Sequence, residues 1–333
     1  RMEPLQIPQA VYDNLIEVIH ESLPVLNEYL ALRKKVLGLS EVHMYDLYCP
    51  MVSDFDMKLS YDEAFDLVLE GLKPMGEDYL AKLREARDNG WIDVYPSENK
   101  SSGAFSSGGL AKVHPYVLLN HNDNLDSAFT IAHELGHSMH SFYSNTNQPA
   151  PKSDYSLFVA EVASTCNEAV MMRHLLNTFT EPKAQAYLLN HFLEQFRTTC
   201  FRQTMFAEFE RISHDMAAKG EPLTKDSLSA AYYALNQKYY GGECTVDELI
   251  ANEWMRIPHF YRSFYVYVYA TGLCAAVTLS EKILTEGESA VEAYRRFLSA
   301  GCSVPPIEAL KLAGIDMSSP EPLRKAMSVF KDT

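Results

Sequence analysis

The sequence lacks an excess of basic residues. It contains 29 lysines and arginines against 44 aspartates and glutamates in 333 residues, so its formal net charge is −15. A nucleic-acid-binding surface needs a basic face, and we therefore expect no nucleic-acid partner. With 47% hydrophobic and 22% charged residues, the composition is that of a globular protein long enough to bury a sizeable core.

Closely spaced cysteines are also absent. The six cysteines form no C-x-x-C pair and no other short metal-ligand spacing. Scattered thiols are typical of a reducing compartment rather than of a disulfide framework. We therefore expect buried, inert thiols and a cytoplasmic protein. The first residues mix charged and apolar side chains and show no signal-peptide pattern.

Long uninterrupted hydrophobic runs are missing as well. The most apolar segment, Phe264 to Leu279, is shorter than the roughly 20 residues that a membrane-spanning helix needs. It also contains several tyrosines. The segment is predicted to be a buried helix, and no membrane partner is expected.

Helical periodicity dominates both ends of the chain. Apolar residues recur at helical spacing in Val11, Leu15 and Ile19, and Ser60 with Glu63 predicts a capping box. Further helices are predicted over residues 127–142, 155–176, 182–218, 226–240 and 248–255. The fold class is therefore mainly α, with one domain over residues 1–333 that comprises a helical lobe (1–90), a small β region (91–123) and a helical region (124–333).

The β region lies directly before one of these helices. Residues 91–95 alternate as a strand does, and Pro115 to Leu119 is apolar and bounded by turn residues. Between them, the serines and glycines of residues 100–109 predict a flexible loop. A strand at Tyr116 to Asn120 has two interpretations: it pairs with an extended peptide, or it is an ordinary member of the sheet.

The main chemical signal is the stretch His133-Glu134-Leu135-Gly136-His137. Residues four apart share one face of an α-helix, so His133 and His137 can present two ring nitrogens to one ion. Glu134 is then placed to take a proton from a water activated by zinc. The alternative is a surface helix with two solvated histidines. The apolar neighbours of the motif favour a buried helix, and buried histidines need partners.

A third ligand is required for a zinc site. The pattern in which a third histidine follows on the same helix is excluded, because His140 and Tyr143 occupy the positions for its glycine and histidine. A glutamate from the next helix is the other common solution, and both Glu161 and Glu168 are available. We prefer Glu161 as the ligand and Glu168 as the carboxylate that orients a ligating histidine. His140 is predicted to be a packed residue.

Taken together, these segments resemble the M3 peptidases, and within them the oligoendopeptidase F branch. The resemblance covers most of the chain and rests on the segments at residues 102–106, 115–120, 133–141, 158–168, 257–261 and 264–267. It implies a zincin-type helical catalytic domain with a small sheet before the H-E-x-x-H helix. It also implies one Zn²⁺ per chain, held by His133, His137 and Glu161, with Glu134 as general base.

The resemblance further implies hydrolysis of short peptides within a deep channel. Members of the branch have an N-terminal helical half ahead of the part seen here, so this chain corresponds to the C-terminal catalytic part. The missing half would close the channel and limit substrate size. The sequence indicates no oligomeric state and no cleavage preference.

A donor for the developing oxyanion is also needed. The resemblance points to a histidine and tyrosines of one segment: His259, Tyr261, Tyr265 and Tyr269. The three tyrosines fall at i, i+4 and i+8, which predicts a shared helical face. The alternative is a tyrosine stripe that belongs to the core. Two rival functions stay open: a zinc hydrolase acting on another acyl bond, and a helical peptide- or metal-binding protein without turnover.

Overall fold

The fold was analysed in a computed structural model that describes residues 2–52, 57–110 and 113–333. Residue 1, residues 53–56 and residues 111–112, which belong to the predicted regions 1–90 and 91–123, lie outside the described residues. The structure is 69% helical, which confirms the mainly α class. Within the described ranges the α-helices are α1 (Gln9–Glu21), α2 (Leu23–Leu37), α3 (Tyr61–Gly71), α4 (Glu77–Asp88), α5 (Leu125–Asn147), α6 (Leu157–Thr178), α7 (Pro182–Gln195), α8 (Arg202–Ala218), α9 (Lys225–Tyr240), α10 (Tyr267–Glu286), α11 (Glu288–Leu298), α12 (Pro306–Leu312) and α13 (Glu321–Asp332).

Local signals determine several helix ends. At the start of α3, the backbone N–H of Ser60 donates to Glu63 Oε2 at 2.9 Å, and the N–H of Glu63 donates to Ser60 Oγ at 3.4 Å. This reciprocal pair is the predicted capping box. In α1, Val11, Leu15 and Ile19 are fully buried, as their helical spacing predicts.

The long helix predicted over residues 182–218 is interrupted. Helices α7 and α8 are joined without a loop by a π-helical turn, Phe196–Phe201. A π turn inserts one residue into the helical repeat and often marks a functional site. The segment predicted as helix over 248–255 is a 3₁₀ helix, Glu248–Arg256. Neither deviation has a strong local sequence signal.

The three strands are β1 (Ile92–Asp93), β2 (Phe105–Ser107) and β3 (Tyr116–Leu118). Strand β3 is central, parallel to β1 and antiparallel to β2. Of the two interpretations of the strand at Tyr116 to Asn120, the structure therefore supports the ordinary sheet member, since both edges of β3 are paired. Strand β2, which lies within the predicted flexible loop, was missed, and it has a free edge among the described residues.

Helix α6 is a central packing element of the fold. It packs extensively against both α5 and α10. In α10, 14 of the 20 residues are buried, which confirms a buried helix for the most apolar segment from Tyr267 onward, while residues 264–266 precede the helix. No helix in the described part of the chain is both long and apolar enough to cross a membrane.

The six cysteines are all free. Four are buried, and two, Cys49 and Cys302, are exposed. The prediction of buried thiols therefore holds for Cys166, Cys200, Cys244 and Cys274.

Candidate metal centre and catalytic site

Helix α5 presents the two histidines of the motif on one face. It begins where Asn124 Oδ1 accepts the backbone N–H of Ser127 at 2.9 Å. His133 and His137 follow at one-turn spacing, with side chains 27% and 17% exposed. The flanking apolar residues are buried, as predicted: Ala128, Ile131, Ala132, Leu135 and Met139. The motif helix is therefore not a solvated surface helix.

Helix α6 brings one carboxylate to both histidines. Oε2 of Glu161 lies 3.3 Å from Nε2 of His133 and 3.4 Å from Nε2 of His137. The two Nε2 atoms are 3.2 Å apart. Within the described chain, these three residues form the only cluster of three or more potential metal ligands.

The close approach of α5 and α6 depends on Gly136. A Cβ atom at this position would lie 2.6 Å from Cα of Ser164 and 2.7 Å from the carbonyl oxygen of Ala163. Real side chains do not tolerate such distances, so only glycine permits this crossing. Asn167 strengthens the crossing, because its Nδ2 donates to the carbonyl of Ala132 at 3.0 Å.

The three donor atoms fit a zinc ion. Zinc binds imidazole nitrogen and carboxylate oxygen at 2.0–2.2 Å, so the corners of its tetrahedron are about 3.3–3.6 Å apart. The three observed separations lie between 3.2 and 3.4 Å. Two imidazoles and one carboxylate leave the fourth corner open, as catalytic zinc sites require.

Electrostatics match this donor set. Burial acts to lower the pKa of His133, but its contacts with Glu161 and Glu168 outweigh this and raise the pKa to about 10. Burial acts to raise the pKa of Glu161, and the two imidazoles overcome this and lower it. Both pKa shifts indicate that the site favours positive charge beside the carboxylates. A bound cation would supply that charge.

The second glutamate of α6 occupies a different position. Oε1 of Glu168 is hydrogen bonded to Nδ1 of His133, on the side of the ring opposite Nε2. Its other oxygen, Oε2, accepts from Gln195 Nε2 at 3.0 Å. The geometry therefore separates the two candidate glutamates: Glu161 lies among the Nε2 atoms, and Glu168 holds the ring of His133. Gln195 was not foreseen, and its position before the π turn has no sequence signal.

Glu134 is buried, with 6% of its surface exposed. Burial raises the pKa of its carboxyl, while the neighbouring imidazoles of His133 and His137 act in the opposite direction. A carboxylate with a raised pKa is a better base near neutral pH.

The segment between residues 258 and 269 brings three of its four candidates together. The ring centroids of His259 and Tyr265 are 6.0 Å apart, and those of His259 and Tyr269 are 5.9 Å apart. The hydroxyl of Tyr269 donates to that of Tyr265 at 3.2 Å. Burial raises the pKa of Tyr269, and the hydrogen bond and charge of Tyr265 and then the charge of Glu161 act in the same direction. Three residues after Tyr269, a Cβ atom on Gly272 would lie 3.6 Å from Cβ of Glu161, so the first turns of α10 lie beside the candidate metal ligand.

Tyr261 lies apart from this cluster, with 90% of its surface exposed. It belongs to a 3₁₀ turn, Pro258–Tyr261, whereas α10 begins only at Tyr267. The predicted helical face shared by Tyr261, Tyr265 and Tyr269 is therefore wrong, because no continuous helix joins them.

His140 is packed, as the sequence suggests. Its ring stacks on Tyr155 with centroids 3.6 Å apart and also contacts Phe297. Among the described residues its Nδ1 has no hydrogen-bond partner. Burial, followed by the charge of His137, lowers the pKa of His140 to about 3.

Strand β2 is fastened to the motif helix. Ser106 Oγ and Ser138 Oγ are 2.8 Å apart, and Asn145 Nδ2 donates to the carbonyl of Gly108 at 2.7 Å. A Cβ atom on Gly108 would lie 2.2 Å from Cβ of Ser141. These contacts place β2 beside the turn of α5 that carries His137.

A mainly helical fold with a His-His-Glu cluster between two crossed helices defines a class of metal-binding hydrolase folds. The sequence profile described as peptidase family M3 matches residues 2–329. The chain belongs to peptidase family M3.

Relatives and solved structures agree with this assignment. The chain is 53% identical over 326 residues to "Oligopeptidase PepF" of Bacillus subtilis (strain 168), and the match covers 98% of this chain and 48% of that protein. It is 43% identical to "Oligoendopeptidase F homolog" of Lactococcus lactis subsp. lactis (strain IL1403), with 98% and 54% covered. The chain thus spans about half the length of these relatives.

Two crystal structures are similar in fold. The oligoendopeptidase-F structure from Enterococcus faecium matches at 39% identity with a TM-score of 0.78, over 99% of this chain and 52% of that one. A Chlamydophila abortus protein matches at 40% identity with a TM-score of 0.92, over 99% and 55%.

Proposed function

We propose that this chain carries the zinc-dependent catalytic centre of an oligopeptidase that hydrolyses internal bonds of short peptides. The convergence of His133, His137 and Glu161 at tetrahedral spacing, beside the buried Glu134, carries the proposal. Family membership and the names of the relatives support a peptide substrate.

The metal would be held by Nε2 of His133, Nε2 of His137 and Oε2 of Glu161. Zinc, when bound, supplies a Lewis acid that lowers the pKa of water and polarises a carbonyl. Glu168 accepts the Nδ1–H of His133, which leaves Nε2 of that ring unprotonated for ligation. Gln195 in turn orients Glu168.

Glu134 is the proposed general base. It follows the first ligand on α5, and its burial removes competing solvent. Its carboxylate accepts the proton of the attacking water and passes it to the leaving amine.

The cluster of His259, Tyr265 and Tyr269 is proposed to donate to the oxyanion. Tyr269 is the preferred donor, because it lies one helical turn before Gly272, where a Cβ atom would be 3.6 Å from Cβ of Glu161. Tyr261 was predicted for the same role, and its exposed ring would have to move to take part.

An extended substrate is proposed to pair with β2 rather than β3. The backbone N–H groups of Val117 and Leu119 donate toward the β1 side of β3. The backbone groups of Leu118 therefore point toward β2, where Leu118 pairs with Phe105. Because backbone groups alternate along a strand, the N–H and C=O of Ser106 point to the free edge. Main-chain pairing of this kind binds peptides with little dependence on their side chains.

Zinc analysis, chelation and peptide hydrolysis test the proposal together. Internally quenched peptides of short and long length are incubated with zinc-loaded chain, with chelated chain, and with Glu134→Gln. We expect one zinc per chain, activity lost on chelation and restored by zinc, and a loss of roughly 100-fold or more for Glu134→Gln with zinc retained. Glu208→Gln, a buried glutamate remote from the cluster, is the matched control.

The same experiment separates the rival functions. Bound zinc with hydrolysis of esters or other amides but not peptides favours a hydrolase of another acyl bond. Bound zinc and bound peptide without any turnover favour a binding protein. Activity that survives Glu134→Gln contradicts the assignment of the base.

We further propose a single domain in a reducing, cytoplasmic setting. One hydrophobic core runs from Ile7 to Phe330, which supports a single domain across the predicted regions. All six cysteines are free thiols, which supports a reducing compartment.

A further inference from the structure

The three candidate oxyanion donors that cluster together belong to a segment in which the chain reverses its direction. His259 lies in the 3₁₀ turn Pro258–Tyr261, and Tyr269 lies in the first turn of α10. Their rings meet at 5.9 Å only because the backbone folds back between residues 262 and 266. The conformation of this connection therefore decides the position of the proposed oxyanion donors.

Phe264 is the unusual residue of the connection. Its φ angle is 51°, in the left-handed region that a bulky side chain rarely adopts. For a residue other than glycine this conformation is strained, because Cβ comes too close to the following carbonyl oxygen. The surrounding structure must hold Phe264 there, and such strain is often found at functional sites.

A buried carboxylate stabilises this conformation of Phe264. Glu210 lies in α8, is 3% exposed, and its Oε1 accepts the backbone N–H of Phe264 at 2.7 Å. Hydrogen bonds to a carboxylate are roughly twice as strong as neutral ones. The ring of Phe264 is packed as well, against Tyr12 at 5.8 Å and against His214 at 4.7 Å between centroids.

We infer that Glu210 is a positioning residue for the oxyanion donors. It holds the left-handed turn at Phe264 and thereby places His259, Tyr265 and Tyr269 against one another. It is not a catalytic residue, because it contacts the backbone of the turn rather than a reacting group. This inference deepens the proposed function and rests on it for its catalytic consequence.

Glu208 offers a matched control in the same helix. It is also a buried glutamate, but its side-chain hydrogen bonds are with His20, Lys238 and Tyr239, none of which lies in the segment of residues 258–269. A purely structural role of buried carboxylates in α8 predicts similar effects for Glu208→Ala and Glu210→Ala. The positioning role predicts that only Glu210→Ala changes the turn.

The experiment combines hydrogen exchange with steady-state kinetics on the zinc-loaded chain. In Glu210→Ala we expect faster amide exchange confined to residues 262–269, and a fall in kcat of up to about 100-fold with KM little changed. Glu210→Gln retains an oxygen acceptor, so it should fold and lie between the wild type and Glu210→Ala in both measurements. Glu208→Ala should lower stability while leaving the exchange of this segment and kcat unchanged.

A double variant tests whether Glu210 acts through the donors. If it does, Glu210→Ala adds little to the loss already caused by Tyr269→Phe. Fully additive losses, unchanged exchange at residues 262–269, or faster exchange with an unchanged kcat would each overturn the inference. A wild-type chain that binds zinc but hydrolyses no peptide contradicts the proposed function instead, and the exchange measurement then still decides whether Glu210 holds the turn.

Discussion

Gly136 and Ser164 meet at the crossing of α5 and α6, where a Cβ atom on Gly136 would lie 2.6 Å from Cα of Ser164. The crossing brings Glu161 to the two histidines of the motif. The glycine between the two histidines is thus a packing requirement of the proposed metal centre, and it links the sequence motif to the proposed third ligand on the neighbouring helix.

Gly136→Ala should therefore damage both packing and metal binding. The added methyl group must push α6 away, which we expect to cost about 1–3 kcal/mol of unfolding free energy and to weaken zinc binding. Urea denaturation and competition with a chromophoric chelator measure the two effects.

Gly272→Ala is the matched control for this change. Its Cβ would lie at an ordinary 3.6 Å from Cβ of Glu161, and alanine favours the helix by about 0.5–1 kcal/mol. We expect unchanged or higher stability with normal zinc affinity. Equal losses of stability and zinc affinity in both variants would contradict a specific role of Gly136 at the crossing.

The chain of contacts from Gln195 through Glu168 to His133 predicts graded effects on zinc affinity. Glu168→Ala removes the partner of the ligating ring and should weaken binding roughly 10- to 100-fold. Gln195→Leu acts one contact further away, so its effect should be smaller but in the same direction.

Gln185→Leu controls for the loss of an amide from α7, since Gln185 Nε2 donates to the carbonyls of Leu176 and Phe179. Zinc titration of each variant against a competing chelator is the measurement. Normal affinity in Glu168→Ala would contradict its orienting role.

Replacing single tyrosines should rank the candidates for the oxyanion donor. Tyr269→Phe removes the hydroxyl of the preferred donor, and we expect kcat to fall about 100-fold or more. Tyr261→Phe changes an exposed ring and should have little effect on kcat. The reverse ranking in steady-state assays would mean that the segment rearranges when substrate binds.

The buried imidazole of His140 should make the unfolding free energy of the protein depend on pH. Its pKa is lowered to about 3 by burial and by the charge of His137, whereas an unfolded histidine titrates near 6.5. Between these values the unfolded chain binds more protons, so stability falls as pH falls from about 6.5 toward 3. The contribution of this one residue is roughly 1 kcal/mol per pH unit.

The slope is tested with His140→Phe, which retains a planar ring against Tyr155 and Phe297 but cannot be protonated. Unfolding free energies measured between pH 6.5 and 5 should fall less steeply in this variant than in the wild type. His174→Phe controls for the loss of a partly exposed imidazole outside the core. Parallel slopes for His140→Phe and the wild type would contradict the assignment.

Local patterns predicted most of the helices and two of the three strands in the described part of the chain. The motif helix was predicted over residues 127–142 and extends from Leu125 to Asn147, because its apolar spacing and cap are local signals. Strand β2 was missed because its three residues are stabilised by pairing with β3 and by contacts with α5, which lie far away in sequence. The π turn at Phe196–Phe201 was missed for the same reason.

The sequence by itself determined the H-E-x-x-H helix, its buried environment and the set of available ligands, because four-residue spacing and apolar neighbours act within one helix. Only the tertiary structure decided how Glu161 and Glu168 divide their contacts with His133, which tyrosines gather beside His259, and which strand has a free edge. Those choices depend on how closely α5 and α6 cross, on the turn at Phe264 held by Glu210, and on the order of strands. Each is a relationship between distant segments that no local pattern encodes.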